Sequence, residues 1–183
     1  MSPLTRTYIG IGSNLDHPMR QVTSALEELA AIDDSVLIGH SAWYQSKAIG
    51  PGEQADYING AACLDTSLDP FSLLNALQSI EQAHKRIRSQ HWGPRTLDLD
   101  LLLYGDRVIN SPILTVPHPY LSQRNFVLFP LSDLPSNQSN TPPDNLSSKQ
   151  SCNQYCNIVL PNGVSIESLL STTSHEGIVR LTN

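Results

Sequence analysis

The chain has 183 residues, of which 39% are hydrophobic and 15% are charged, a composition typical of a globular domain with a single core. Its formal net charge of −6 argues against a broad electrostatic contact with nucleic acid. The three cysteines are too few for a disulfide framework, no run is long enough to cross a bilayer, and the first residues lack a signal-peptide pattern. We therefore expect one domain over residues 1–183, a cytoplasmic monomer that binds neither nucleic acid nor a membrane.

Apolar periodicity predicts three strands and one helix in the first part of the chain. Tyr8–Gly12 is predicted as a strand that ends in a Gly-Ser-Asn turn, and the apolar residues that follow recur at helical spacing up to about Ala31. Val36–Ser46 and Tyr57–Leu64 are predicted as the second and third strands, and the Gly-Pro-Gly sequence between them indicates a loop.

A second helix and a fourth strand follow. Asp69 before Pro70 predicts a helix start, because an acidic N-cap residue precedes a proline at the first helical position. Leu97–Leu103 is predicted as a strand, and a turn at Gly105 is expected to pair it with a short strand at Val108-Ile109.

The remainder of the chain is more varied. Asn125–Leu134 is apolar, and its pattern favours a helix without deciding the matter. Residues from about 135 to 157 are rich in Ser, Asn, Gln and Pro, which indicates a polar surface insertion. A short helix up to Leu170 and a strand at Ile178–Leu181 are predicted beyond it. The order β-α-β-β-α-β predicts an α+β fold with a ferredoxin-like core, in which helices pack on one antiparallel sheet.

The strongest chemical signal is a pair of carboxylates, Asp98 and Asp100, inside a leucine-rich strand. Side chains alternate along a strand, so both carboxylates share one face with Cα atoms about 6.5 Å apart, while the leucines that alternate with them (Leu97 to Leu103) face the core. Like charges this close repel, and Mg²⁺ between them would remove the repulsion and leave room for phosphate oxygens. The alternative interpretation is a solvated edge strand, or an ion pair with a neighbouring arginine.

The region just before this strand is basic, although the whole chain is acidic. Lys85, Arg86, Arg88 and Arg95 form a local positive patch, and Trp92 lies among them. Planar guanidinium groups match phosphate oxygens in shape and charge. The patch therefore favours a small anionic ligand over a polymer.

These residues belong to a longer pattern. The segment His91–Leu102, HWGPRTLDLDLL, resembles the signature of the 6-hydroxymethyl-7,8-dihydropterin pyrophosphokinase family of folate biosynthesis. Further similar segments occur in the family's order and extend the resemblance over about three quarters of the chain: Tyr8–Leu15, Asp56–Asn59, Leu114–His118, Arg124 and Phe126.

The resemblance implies a reaction in which the pterin hydroxymethyl oxygen attacks the β-phosphorus of ATP, a pyrophosphoryl group moves to the pterin, and AMP leaves. It implies that Asp98 and Asp100 hold two Mg²⁺ ions. It also implies that Arg86, Arg88 and Arg95 act with them as catalytic groups on the phosphates.

The resemblance further implies two sets of binding residues. The nucleotide side comprises Gln78, Glu81, Arg88, Trp92, Arg95, Leu101, Thr115, His118 and Arg124. The pterin side comprises Ser46, Lys47, Ile49, Tyr57, Asn59, Trp92, Asp98 and Phe126, with Tyr57 and Phe126 as the stacking pair. Without the resemblance, Gln78 and Glu81 would be interpreted as a solvated helix face.

The chain also departs from the family pattern. The segment between Arg88 and Trp92 is shorter and less basic than is common, and Pro119 stands where an aromatic residue is often found. Two other functions are consistent with the same carboxylates. One is another Mg²⁺-dependent nucleotide transferase, and the other is a non-catalytic module that binds a pterin or a nucleotide.

Overall fold

The structure is a computed structural model that describes residues 3–49, 53–85, 93–136 and 158–182. Its helices are α1 (Pro18–Ala30), α2 (Pro70–Ala83), α3 (Asn125–Ser132) and α4 (Ile166–Leu170). Its strands are β1 (Thr5–Ser13), β2 (Ser35–His40), β3 (Tyr44–Ser46), β4 (Tyr57–Thr66), β5 (Asp98–Tyr104), β6 (Ile109–Asn110), β7 (Thr115–Val116) and β8 (Ile178–Arg180). The protein is therefore an α+β protein, as predicted.

The main sheet is antiparallel, with the strand order β5-β1-β4-β3-β8, and β2 also pairs with β4. β2 lies beside Ala62–Thr66 and β3 beside Tyr57–Asn59, so the two occupy the same edge of β4 in succession. The prediction of a single strand over Val36–Ser46 is therefore wrong. The chain leaves the sheet between β2 and β3 at Ser41, whose hydroxyl accepts a hydrogen bond from Ala61 N at 2.9 Å.

The helices α1 and α2 cover one face of this sheet, which we call the helix-covered face. Its core includes Ile9, Ile11, Leu29, Leu64, Leu77, Leu99 and Leu101. α2 begins where the sequence predicts, because the Asp69 carboxylate accepts hydrogen bonds from Phe71 N at 3.0 Å and Ser72 N at 3.3 Å.

The opposite face of the sheet has two different ends. At one, which we call the closed end, α3 and α4 bury an apolar cluster that includes Tyr8, Cys63, Leu103, Leu128 and Ile166. Burial raises the pKa of the Cys63 thiol to about 12. At the other, which we call the open end, the same strands carry Gly12, Asn59 and Asp98, and a pocket lies over them.

The strand β5 follows the predicted alternation at its start and departs from it near its end. Leu101 packs in the helix-covered face, as predicted. Leu102 has no partner in β1, because β1 pairs with Leu101 and then directly with Leu103, which is a β-bulge. The extra residue turns Leu103 into the apolar cluster of the closed end. The prediction that Leu103 shares the helix-covered face with Leu101 is therefore wrong.

The short strand expected to pair with β5 does not do so. Gly105 forms the predicted turn, but β6 pairs with β7, through Ile109 with Val116 and Asn110 with Thr115. These four residues form a separate two-stranded sheet.

The polar segment predicted at about 135–157 lies outside the described residues from residue 137 on, as do Cys152 and Cys156. Its first residues are held by β1, since Tyr8 Oη donates to Pro135 O at 2.7 Å and Arg6 Nη1 to Ser136 O at 3.0 Å. Within the described ranges, each helix is too short or too polar to cross a bilayer.

Candidate active site

The pocket lies at the open end of the sheet, where β1, β3, β4 and β5 meet the start of α3. Ten of the residues implied by the family resemblance line it: Ser46, Lys47, Ile49, Tyr57, Asn59, Arg95, Asp98, Asp100, Arg124 and Phe126. The lining is completed by Gly10, Ile11, Gly12, Gly60, Leu102 and Val127. Segments that are far apart in sequence therefore converge on one cavity.

Two glycines of β1 form the floor of the pocket. Gly10 pairs with Asp100 and Gly12 with Asp98 on one side, and Gly12 pairs with Asn59 on the other. A Cβ atom at Gly12 would lie 3.5 Å from Asn59 Oδ1 and 4.0 Å from Asp98 Cβ, so it would fit but would occupy the space above the floor. The Gly-Ile-Gly run of the first strand is the sequence signal for this floor, and no role was predicted for it.

Asp98 and Asp100 lie on one face of β5, but their surroundings differ. The Arg95 guanidinium forms a hydrogen-bonded ion pair with the Asp98 carboxylate. Burial lowers the pKa of Arg95, but the charge and the hydrogen bond of Asp98 outweigh burial and raise that pKa. Asp100 has 42% of its side chain exposed. The ion pair considered as an alternative for this motif therefore forms at Asp98, while Asp100 faces the pocket.

An unpredicted residue, Asn14, holds the segment that carries Arg95. Asn14 Oδ1 accepts a hydrogen bond from Arg95 N at 2.8 Å. Asn14 N and Leu15 N donate to Arg95 O at 3.0 Å and 3.2 Å, and Asn14 Nδ2 donates to Ala55 O at 3.1 Å. These bonds fix Arg95 relative to the end of β1. Asn14 lies in a segment that resembles the family, which is the signal that could have identified it.

His118 lies beside Asp100, with Nε2 3.8 Å from Asp100 Oδ2, although it does not line the pocket. Burial and the positive charge of Arg124 lower the pKa of His118, so its ring is neutral at pH 7. Tyr120 N donates to His118 Nδ1 at 3.3 Å, which leaves the ring hydrogen on Nε2. The histidine therefore presents a neutral N–H donor towards the carboxylate.

The wall formed by β3, β4 and α3 is aromatic with a polar edge. Tyr57 and Phe126 line it, and Tyr57 Oη donates to Gly93 O at 3.2 Å. Asn59 is buried, and its Nδ2 donates to Ser46 Oγ at 2.9 Å. With the amide in this orientation, Asn59 Oδ1 is an acceptor directed towards the floor.

Positive charges surround the pocket. Arg124 has its guanidinium carbon 5.6 Å from the ring centroid of Phe126, and Arg95 stands beside Asp98. Lys47 Nζ forms a salt bridge with Asp56 Oδ1 at 3.0 Å. Guanidinium and ammonium groups placed in this way favour an anionic ligand.

Several predicted residues do not line the pocket: Gln78, Glu81, Leu101, Thr115 and His118. Leu101 is 3% exposed and packs in the helix-covered face. Gln78 is partly exposed on α2, and Thr115 pairs with Asn110 in the small sheet. Arg86, Arg88 and Trp92 lie outside the described residues.

Glu81 has a structural position that the sequence did not reveal. It is buried, and its Oε1 accepts a hydrogen bond from Leu99 N at 2.8 Å. β5 is the edge strand of the sheet, where alternate N–H groups point away from β1 and need another acceptor. The interpretation of Glu81 as part of a solvated helix face is therefore wrong, because the packing of α2 against β5 decides its burial.

The carboxylates of Asp98 and Asp100 fit a magnesium ion. In the described part of the chain, His, Cys, Asp and Glu form no group of three that could hold a metal ion. Mg²⁺ is usually bound by one or two carboxylates together with waters and substrate phosphates, rather than by a cage of protein ligands. Asp98 and Asp100 supply two such carboxylates on a rigid strand, above a floor without side chains.

Paired carboxylates, surrounding cations and an aromatic wall together indicate a transferase that handles phosphate groups. The family model described as 7,8-dihydro-6-hydroxymethylpterin-pyrophosphokinase matches residues 8–136. The chain belongs to this family, and it is accordingly a diphosphotransferase.

Individual relatives support the assignment. A 2-amino-4-hydroxy-6-hydroxymethyldihydropteridine pyrophosphokinase of Pseudomonas aeruginosa is 40% identical over 97% of this chain and 98% of its own length. The Haemophilus influenzae protein of the same name is 43% identical over 70% of this chain and 81% of its own length.

The fold is also similar to solved structures. A crystal structure of HPPK-DHPS in complex with substrates matches 72% of this chain and 40% of its own chain, with a TM-score of 0.56 and 13% identity. At this identity the likeness concerns the fold alone. The chain spans about two fifths of the length of that solved protein.

Proposed function

We propose that the pocket transfers a pyrophosphoryl group from ATP to the hydroxymethyl oxygen of 6-hydroxymethyl-7,8-dihydropterin and releases AMP, as a step of folate biosynthesis. The observation that carries the proposal is the position of Asp98 and Asp100 above the glycine floor, next to the wall of Tyr57, Asn59 and Phe126. The Pseudomonas aeruginosa relative, which aligns over nearly its whole length, has this activity in its name.

The aromatic wall suits a pterin. A pterin ring is flat and has an amide-like edge, so it requires aromatic faces and a few fixed polar groups. Tyr57 and Phe126 offer the faces, and Asn59 Oδ1 accepts a hydrogen bond from an N–H of the ring edge. With Nδ2 bound to Ser46, Asn59 presents Oδ1 to the ring edge, and this acceptor selects one orientation of the ring.

The cations suit the triphosphate. Arg95 pairs with Asp98, and we expect its guanidinium to exchange this carboxylate for phosphate oxygens when the nucleotide binds, since both are bidentate acceptors. His118 can donate its Nε2 hydrogen to a phosphate oxygen without adding charge, and Arg124 adds positive charge beside Phe126. Catalysis would then come from positioning and charge neutralisation.

Asp98 and Asp100 would hold Mg²⁺, two ions in all. When bound, Mg²⁺ neutralises charge on the triphosphate and polarises the attacking hydroxyl. The contribution of the chain is to keep the two carboxylates on one face of β5, while Leu99 and Leu101 anchor the other face in the core.

Other roles implied by the resemblance belong to the same proposal. Arg86, Arg88 and Trp92 would contact the phosphates and cover the substrates, and Gln78, Leu101 and Thr115 would contact the nucleotide. Because the side chain of Leu101 is buried in the core, it would act through its backbone. Glu81 would act through Leu99, whose N–H it binds.

We also propose a ferredoxin-like core within a single domain over residues 1–183. The support is an antiparallel sheet in which β5 and β4 flank β1 and the outer edge of β4 is taken by β2 and β3. α1 connects β1 to β2 and α2 connects β4 to β5, which is the connectivity of a split β-α-β fold. We further propose that the protein is a cytoplasmic monomer.

Product analysis tests the function. The protein is mixed with ATP, Mg²⁺ and 6-hydroxymethyl-7,8-dihydropterin, and the nucleotides are separated by chromatography. AMP formed in proportion to the pterin consumed supports the proposal. ADP would indicate a simple kinase, released pyrophosphate a nucleotidyltransferase, and no pterin-dependent product a binding module.

A further inference from the structure

The segment of residues 174–181, which we call the strap, lies beyond residues 8–136, where the family model matches. It contains β8, which pairs with β3 through Tyr44 with Arg180 and Ser46 with Ile178. Lys47 N donates to Gly177 O at 3.2 Å, and Leu181 N donates to Trp43 O at 2.8 Å. The strap therefore covers the whole outer edge of the strand that carries Ser46 and Lys47.

The strap is also bound to α3, whose first residues line the pocket. Asn125 Nδ2 donates to Ser174 O at 3.1 Å and to Glu176 O at 3.0 Å. Asn125 is the first residue of α3 and stands between Arg124 and Phe126, which both line the pocket. One side chain thus connects this part of the pocket lining to the strap.

Two further contacts hold the strap against α3. The rings of His175 and Phe129 have centroids 4.5 Å apart. Arg180 Nη2 lies 3.4 Å from Asp133 Oδ2, and this oxygen also accepts hydrogen bonds from Ala42 N and Tyr44 Oη, each at 3.0 Å. α3, the strap and β3 therefore form one connected unit.

We propose that Asn125 is a positioning residue that, through the strap, fixes the position of Arg124 and Phe126 relative to Ser46 and Lys47, and with it the shape of the pterin seat. The strap residues, all of them described, do not line the pocket, so the effect is indirect. The inference rests on the proposed function, because it assumes that a pterin occupies this seat. An amide suits the position because both hydrogens of its NH₂ group are used on two carbonyls, which a carboxylate would repel.

Asn125→Ala and Asn125→Asp test the proposal, with Asn162→Ala as the matched control. Asn162 also makes a side-chain hydrogen bond to the backbone, from Val164 N at 3.1 Å, but it lies in a turn outside the strap. We expect the KM for the pterin to rise about tenfold in Asn125→Ala, as the loss of two hydrogen bonds allows, and further in Asn125→Asp. The kcat should stay within about twofold in both variants, and the control should match the unmodified protein in kcat and in the KM for the pterin.

Hydrogen exchange provides a readout that does not depend on turnover. The Lys47 amide, which is bound to Gly177 O, should exchange faster in Asn125→Ala than in the unmodified protein or in Asn162→Ala. An unchanged exchange rate, or a pterin KM that stays within twofold, would overturn the proposal. If the unmodified protein forms no AMP, the proposed function fails, and accelerated exchange at Lys47 would still support the coupling between Asn125 and the strap.

Discussion

The closed and open ends of the sheet are built on the same three strands, β1, β4 and β5. β1 contributes Tyr8 to the closed end and Gly12 to the open end, and β5 contributes Leu103 and Asp98 in the same way. Four residues of a strand span about 13 Å, so a packed apolar cluster and a polar pocket lie within about 13 Å of each other along the same strand. The comparison shows that stability and chemistry are divided along the strands rather than between domains, and substitutions should separate them.

The largest effect is expected for Asp98→Asn, which tests the open end. It removes a charge at the metal-binding position but keeps the size of the side chain, so kcat should fall by about 10² to 10³-fold while Tm changes little. Steady-state assays and thermal unfolding measure the two quantities.

Its counterpart at the closed end is Leu103→Ala in the same strand. Leu103 is 1% exposed, and truncating a buried leucine costs about 2–5 kcal/mol of unfolding free energy. The kcat per folded molecule should remain close to that of the unmodified protein. If Asp98→Asn lowered stability as much as Leu103→Ala does, the division between the ends would be refuted.

Alanine substitutions at two glycines that line the pocket should change different properties, stability in one case and pterin binding in the other. A Cβ atom at Gly60 would clash with the Trp43 ring, so Gly60→Ala should destabilise the fold by about 1–3 kcal/mol. Gly12→Ala meets only ordinary contacts and should leave stability unchanged, but it should raise the KM for the pterin because the added methyl group occupies the floor. Urea unfolding and pterin titration distinguish the two, and equal stability losses would contradict this prediction.

Glu81→Ala tests whether this residue supports the strand or contacts the nucleotide. It leaves the buried Leu99 N–H without its acceptor, which costs about 1–3 kcal/mol. Glu81→Gln keeps an acceptor oxygen and should recover most of the loss. An increased KM for ATP in Glu81→Gln at unchanged stability would indicate direct nucleotide contact instead.

The smallest effect concerns Asp69, which is remote from both ends. The hydrogen bonds from the Ser72 hydroxyl and from Phe71 N and Ser72 N lower the pKa of Asp69. A lowered pKa means that the carboxylate stabilises the fold above its ordinary value of 3.8, and that this stability is lost as the pH falls through the lowered value. Asp69→Asn keeps the N-cap acceptor and should remove this part of the acid sensitivity, measured by unfolding between pH 5 and about 2. Activity at pH 7 should not change.

Local features of the fold could be predicted from the sequence, and features that depend on long-range pairing could not. The N-cap at Asp69 and the alternation of Asp98 with Leu99 depend on a few neighbouring residues, and both are confirmed. The bulge at Leu102 and the pairing of β6 with β7 depend on which strand lies alongside, so the sequence analysis missed them.

The same distinction applies to the candidate site. Motif similarity identified most of the residues that line the pocket, because the family pattern already contains their long-range arrangement. It assigned no role to Asn14, whose side chain accepts a hydrogen bond from Arg95 N. It also assigned none to Gly12, which leaves the space above the floor free of a side chain. It gave no indication that the packing of α2 buries Glu81 against β5, where its carboxylate accepts a hydrogen bond from Leu99 N.

Cys63 gives the closed end a chemical property of its own. Its thiol is fully buried, and with a pKa of about 12 it carries almost no thiolate at neutral pH. Alkylating reagents should therefore reach it only when α3 separates from β4. In a background of Cys152→Ser and Cys156→Ser, the alkylation rate of this one sulfur would report how often the protein opens at that end.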